Sequence, residues 1–129
     1  MELYFIRHGQ TDWNRRQKVM GVVDRPLDQT GLLQAEAMRQ SLLSVPLDRI
    51  FCSPLLRTRQ TPEAVNRGRD LPLSFDERLR ERNFGEFEGL RRDQFDFDGF
   101  WDYARANNFQ KAEGMRPCFQ RVYGFLDEI

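Results

Sequence analysis

Histidine is all but missing from this chain: among 129 residues only His8 carries an imidazole. Cysteine is almost as scarce, with Cys52 and Cys118 far apart in sequence. One His and two distant Cys cannot assemble a Cys/His zinc site, so no metal is expected. There is no charge excess either, since 20 basic and 20 acidic side chains cancel. That balance argues against a general nucleic-acid binder, which would show a basic surplus. No apolar run approaches the roughly 20 residues of a membrane span, so no membrane association is expected. The opening Met-Glu-Leu-Tyr-Phe-Ile has an acidic second residue and no small-residue cleavage site, unlike a signal peptide. Two cysteines without an export signal fit a reducing, cytoplasmic setting. Internal repeats and low-complexity segments are absent, and the length suits one domain, residues 1–129.

Lysine is the remaining scarcity. Only Lys18 and Lys111 are present against 18 Arg. Most of that bias needs no explanation beyond solubility. A few arginines, however, suit an oxyanion, because a guanidinium forks onto phosphate or carboxylate and an ammonium does not.

The apolar pattern alternates short buried strands with amphipathic helices. Leu3–Ile6 is a continuous apolar run, expected as a strand buried on both faces. Leu32, Ala35, Met38, Leu42 and Val45 recur at helical spacing before Pro46. A second strand is expected over 49–52 and a helix over 55–67, capped afresh or kinked at Pro62. A third strand falls at 71–75, a charged loop at 76–90, and helices at 91–107 and from Phe119 to Ile129. This order is that of an α/β fold with parallel strands. Such sheets place chemistry just beyond the carboxyl ends of strands, where His8 and Ser53 fall.

His8 is flanked by Arg7 and Gly9 and followed by Gln10-Thr11-Asp12-Trp13-Asn14. Gly9 permits close approach of a ligand to backbone. Arg7 brings positive charge, and Thr11 and Asn14 bring neutral donors. The group reads as an oxyanion pocket holding an imidazole, and a neutral imidazole is a competent nucleophile.

Arg7–Asn14 resembles the signature of the histidine phosphatase, or phosphoglycerate mutase-like, superfamily. Three further blocks resemble that family in the same order. They are Gly21 with Asp24-Arg25-Pro26-Leu27 and Thr30-Gly31, then Cys52–Thr61, then Leu79–Gly89. The likeness is close over 1–89 and loose over 90–129. It implies a three-layer α/β/α fold with a mostly parallel sheet. It also implies phosphoryl transfer through a phosphohistidine on His8, without a cofactor. Arg7 and Arg57 would hold the phosphoryl oxygens, helped by Gly9, Thr11, Asn14 and Gly21, and Glu81 would serve as acid and then base. Only the resemblance selects Glu81 from Glu77, Glu86 and Glu88, or Arg57 from Arg59 and Arg67.

The family carries a second histidine on a later strand, and this chain has none. The resemblance therefore implies a domain truncated at its C-terminal side. Glu113-Gly114-Met115 stands where the family often has Gly-Glu-Ser. The expected activity is hydrolysis of small organic phosphate monoesters. A cofactor-dependent phosphoglycerate mutase-type isomerase and an inactive phosphate-binding fragment are the alternatives. Phe95, Phe97, Phe100, Trp101, Tyr103 and Phe109 would cover the sheet edge or form an apolar lid. Arg91 and Arg92 keep the mutase alternative open.

Overall fold

The computed structural model describes residues 1–104 and 111–129. A single turn of helix, α1 (Asp12–Arg15), is followed by α2 (Gln29–Leu42), β1 (Ile50–Cys52), α3 (Leu56–Asn66), β2 (Leu73–Phe75), α4 (Phe97–Phe100) and α5 (Met115–Leu126). Short 3-10 turns at Glu77–Leu79, Gly85–Phe87 and Arg92–Gln94 punctuate the stretch between β2 and α4. The fold is α/β. No described helix is long and apolar enough to cross a membrane.

β1 and β2 run parallel with Ile50 opposite Leu73 and Cys52 opposite Phe75, and α3 makes the crossover. Successive strand residues point to opposite faces. Phe51 meets the ring of Phe125 on α5 edge-on at 5.2 Å. The Cys52 thiol, one residue on, reaches the Thr58 carbonyl of α3 at 3.1 Å. The sheet is thus sandwiched between α5 and α3, and α2 packs against α3 through Ala35 and Ala64, with Leu27 just before α2 in the same cluster.

Local chemistry explains the helix limits. Asp28 accepts from the Gly31 amide at 2.9 Å and starts α2 one residue before Gln29, earlier than the Thr30-Gly31 start suggested by sequence. α3 runs unbroken through Pro62. A proline has no N–H to give to the carbonyl four residues back. That carbonyl belongs to Thr58, and the Cys52 thiol donates to it instead.

Two expected elements differ. Residues 3–6 form no strand and are exposed, Phe5 at 82%. Among the described residues no neighbouring strand pairs with them, and an unpaired extended segment gains neither ladder bonds nor cover. The helix expected over 91–107 is instead a 3-10 turn and the single turn α4. Asp96 caps α4 by accepting from Gly99 at 2.9 Å, and the phenylalanines pack on one another rather than along a helical stripe. Phe87 and Phe95 lie 4.7 Å apart, and Phe84 stacks on Phe100 at 4.9 Å. Residues 105–107 and Phe109 lie outside the described residues. The final helix begins at Met115, four residues before the expected Phe119, and ends at Leu126.

Candidate active site

His8 closes the N-terminal segment, half-buried, with Nδ1 2.7 Å from the Gly9 carbonyl. A carbonyl can only accept, so Nδ1 holds the proton and Nε2 carries the free lone pair. Burial lowers the His8 pKa below its ordinary value. The Gly9 carbonyl opposes this, and the positive charges of Arg57 and Arg7 reinforce it. The ring is therefore neutral at pH 7, with its nucleophilic nitrogen available.

The backbone around His8 is held tightly. The Gly9 amide donates to the Thr61 hydroxyl of α3 at 3.3 Å, and that hydroxyl donates to the Arg57 carbonyl. A Cβ at Gly9 would collide with the Gly31 backbone, and a Cβ at Gly31 with that of Gln10. Gly9 thus also serves backbone packing between the His8 loop and α2, beside the ligand approach expected of it.

Arg57 lies in the first turn of α3 and is 1% exposed. Nη2 donates to the Gly21 carbonyl at 2.5 Å and Nη1 to the Val23 carbonyl at 3.0 Å. Nε is buried with no hydrogen-bond partner among the described residues. Burial lowers the Arg57 pKa, and the carboxylates of Glu81, Asp24 and Glu88 work against that shift. Arg57 is thereby within electrostatic reach of both His8 and Glu81. Asp24 also accepts from the Leu56 amide at 2.7 Å, fixing the α3 N-terminus that carries Arg57.

The other expected residues divide. Arg7 is exposed but near enough to act on the His8 pKa. Glu81 is exposed, one carboxylate oxygen accepting from the Arg82 amide at 2.8 Å. Thr11 is fully buried and forms a capping box with Asn14, so both side chains serve α1. The Asn14 Oδ1 accepts from the Thr11 amide and hydroxyl at 3.0 Å, leaving its amide nitrogen free to donate. Gly21 contributes its carbonyl to Arg57 and has no room for a side chain beside Glu88 and Phe84. A groove of about 380 Å³ beside His8, lined by Arg7, Gln34, Met38 and Ser41, includes neither Arg57 nor Glu81. Among the described residues no group of three or more His, Cys, Asp or Glu is placed to hold a metal.

Thr61, Asp24 and Glu88 were not singled out from sequence. Glu88 accepts the Val22 and Val23 amides at 2.9 and 2.7 Å. All three lie inside the blocks that resemble the family, which is the sequence signal that marks them.

A neutral imidazole under the field of a buried guanidinium is an arrangement suited to anion chemistry. The sequence matches the profile of the histidine phosphatase superfamily (branch 1) over residues 3–129, and the chain belongs to that family. It is 41% identical over 91 residues to the probable phosphatase C1687.21 of Schizosaccharomyces pombe, covering 70% of this chain and 44% of that one. It is 34% identical over 132 residues to the probable phosphoglycerate mutase GpmB of Salmonella choleraesuis, covering 98% and 61%. The solved structure of YhfR from Bacillus stearothermophilus superposes with a TM-score of 0.84 at 34% identity, over 95% of this chain and 63% of that one. The chain thus spans less than two thirds of the length of each of these relatives.

Proposed function

We propose that this chain is a phosphoryl-transfer enzyme that hydrolyses small organic phosphate monoesters through a phosphohistidine on His8. The observation that carries the reading is the His8 tautomer, Nδ1 tied to the Gly9 carbonyl and the Nε2 lone pair open, in the field of the buried Arg57, whose Nε has no partner among the described residues. Nε2 attacks phosphorus as the bond to the alkoxide oxygen breaks. Glu81, protonated, gives its proton to that oxygen. Arg57 and Arg7 take the charge spread over the phosphoryl oxygens, with Asn14 as a neutral donor. Water then attacks the phosphohistidine, loses a proton to the Glu81 carboxylate, and frees Nε2 with release of phosphate. The phosphatase named among the relatives supports hydrolysis, and the mutase named beside it carries the isomerase alternative. The aromatic cluster of Phe84, Phe87, Phe95, Phe97 and Phe100 packs on itself as core, and none of these rings lines the groove beside His8.

The test is transfer of labelled phosphorus from a monoester to the protein. Label that is stable in alkali, lost in acid and absent from His8→Ala supports the reading. Label persisting in His8→Ala, or no label on the unsubstituted chain, overturns it. Turnover of 2- or 3-phosphoglycerate into its isomer without net phosphate release would establish the mutase alternative.

A further inference from the structure

The segment that carries Glu81 is tied to α5 twice: Arg78 donates to the Gly124 carbonyl at 3.4 Å and pairs with Glu128, and Arg121 reaches back from the helix to the backbone. Arg121 Nη1 donates to the carbonyls of Arg78 and Arg80, each at 2.6 Å, and Nη2 to the Glu81 carbonyl at 3.2 Å. Nε and Nη2 also donate to the two carboxylate oxygens of Glu113, at 2.6 and 2.8 Å. A guanidinium has five N–H donors in a fixed fork, and here each has an oxygen acceptor. An ammonium has three donors and no fork, so lysine cannot reproduce this set.

Glu113 extends the grip past Glu81. Its carboxylate accepts from the Asn83 amide at 3.2 Å, and its own amide donates to the Asn83 carbonyl at 2.8 Å. Its carbonyl accepts from Arg82 Nε at 2.6 Å. The chain is therefore fixed at 78, 80 and 81 by Arg121 and at 82 and 83 by Glu113. Exposed ion pairs contribute little. This one is only 20% and 19% exposed and bidentate, which favours a fixed geometry. The Glu81 carboxyl itself takes no part in the pair, so its acid function stays free.

We propose that Arg121, oriented by Glu113, is a positioning residue that sets where the Glu81 carboxyl meets the leaving oxygen. This inference rests on the proposed phosphatase reading. It assigns a purpose to Glu113, in the segment that departs from the family pattern.

The experiment compares two esters that share the phosphoryl group. p-Nitrophenyl phosphate releases a stabilised phenolate that needs no proton, whereas glycerol 2-phosphate releases an alkoxide that does. Arg121→Lys and Glu113→Gln are expected to lower kcat on glycerol 2-phosphate about tenfold or more beyond any loss on p-nitrophenyl phosphate. Inhibition by inorganic phosphate should be unchanged. Equal losses on both esters, in variants that still unfold cooperatively, would mean a purely structural pair and overturn the proposal. If Arg121→Lys does not fold, Glu113→Gln carries the comparison. No turnover of either ester by the unsubstituted chain would overturn the phosphatase reading, and this inference with it.

Discussion

Glu88 and Arg57 grip the same loop through its opposite backbone groups. The carboxylate of Glu88 accepts the amides of Val22 and Val23, while the guanidinium of Arg57 donates to the carbonyls of Gly21 and Val23. The loop alternates donors toward the anion and acceptors toward the cation, so the two charges are tied without touching. Glu88→Gln keeps the shape but removes the charge. Hydrogen bonds to charged groups contribute about 1.5–3 kcal/mol, so a loss of about 2 kcal/mol in unfolding free energy is expected. Urea denaturation measures it, and inorganic phosphate should bind more weakly as Arg57 loses its seat. An unchanged midpoint would show the loop to be held by other contacts.

The lone histidine permits an unambiguous titration. His8 has its pKa lowered, chiefly by burial. The NMR midpoint of its ring protons should fall below the ordinary 6.5, and activity should persist into mildly acidic solution. A depressed base pKa means the unfolded state binds the proton first. The His8 contribution to stability is therefore complete above about pH 6.5 and is lost as pH falls toward the folded midpoint. Inorganic phosphate or vanadate in the site should move the midpoint upward, since a nearby anion favours the imidazolium. A midpoint above 6.5 in the free chain would contradict the site electrostatics.

What sequence could and could not reveal follows from the range of the interactions. The α2 stripe and the apolar runs at 49–52 and 71–75 are local signals; they formed, with α2 stopping at Leu42 short of Val45 and the strands narrowed to Ile50–Cys52 and Leu73–Phe75. Leu3–Ile6 failed because strand burial depends on a hydrogen-bonded neighbour, which no local pattern supplies. The 91–107 helix failed because Asp96 and Gly99 favour a cap and a turn over helix continuation. His8 was legible as chemistry from its flanks, whereas Arg57 and Glu81 needed the family likeness. Thr61, Asp24 and Arg121 act through contacts 32 to 52 residues away, which spacing cannot disclose.

Two helical glycines should respond in opposite directions to alanine. Gly31 in α2 faces the Gln10 backbone, which cannot yield as a side chain can, so Gly31→Ala should cost about 1–3 kcal/mol by overpacking. Gly124 in α5 has open space around the Cβ position and ordinary helical geometry. Gly124→Ala should stabilise by about 0.5–1 kcal/mol through helix propensity. Thermal unfolding of the two variants checks the signs together. A neutral Gly31→Ala would mean the His8 loop is free to move away from α2.

Pro62 and Cys52 should be energetically coupled through the Thr58 carbonyl. With Pro62 present, the Cys52 thiol, shared between the Ser53 carbonyl at 2.9 Å and the Thr58 carbonyl at 3.1 Å, is the donor that the helix itself lacks. In Pro62→Ala the new amide takes that carbonyl, and the thiol becomes redundant. Cys52→Ala should therefore cost more in the Pro62 background than in Pro62→Ala. A double-mutant cycle is expected to show coupling of about 0.5–1.5 kcal/mol, the range of one neutral hydrogen bond. The same burial pushes the Cys52 pKa up to about 11, so the thiolate is scarce near pH 8. Disulfide-exchange reagents should leave Cys52 unmodified in the folded chain and modify it promptly in urea. Additive losses in the cycle would show that the Thr58 carbonyl gains nothing from the thiol.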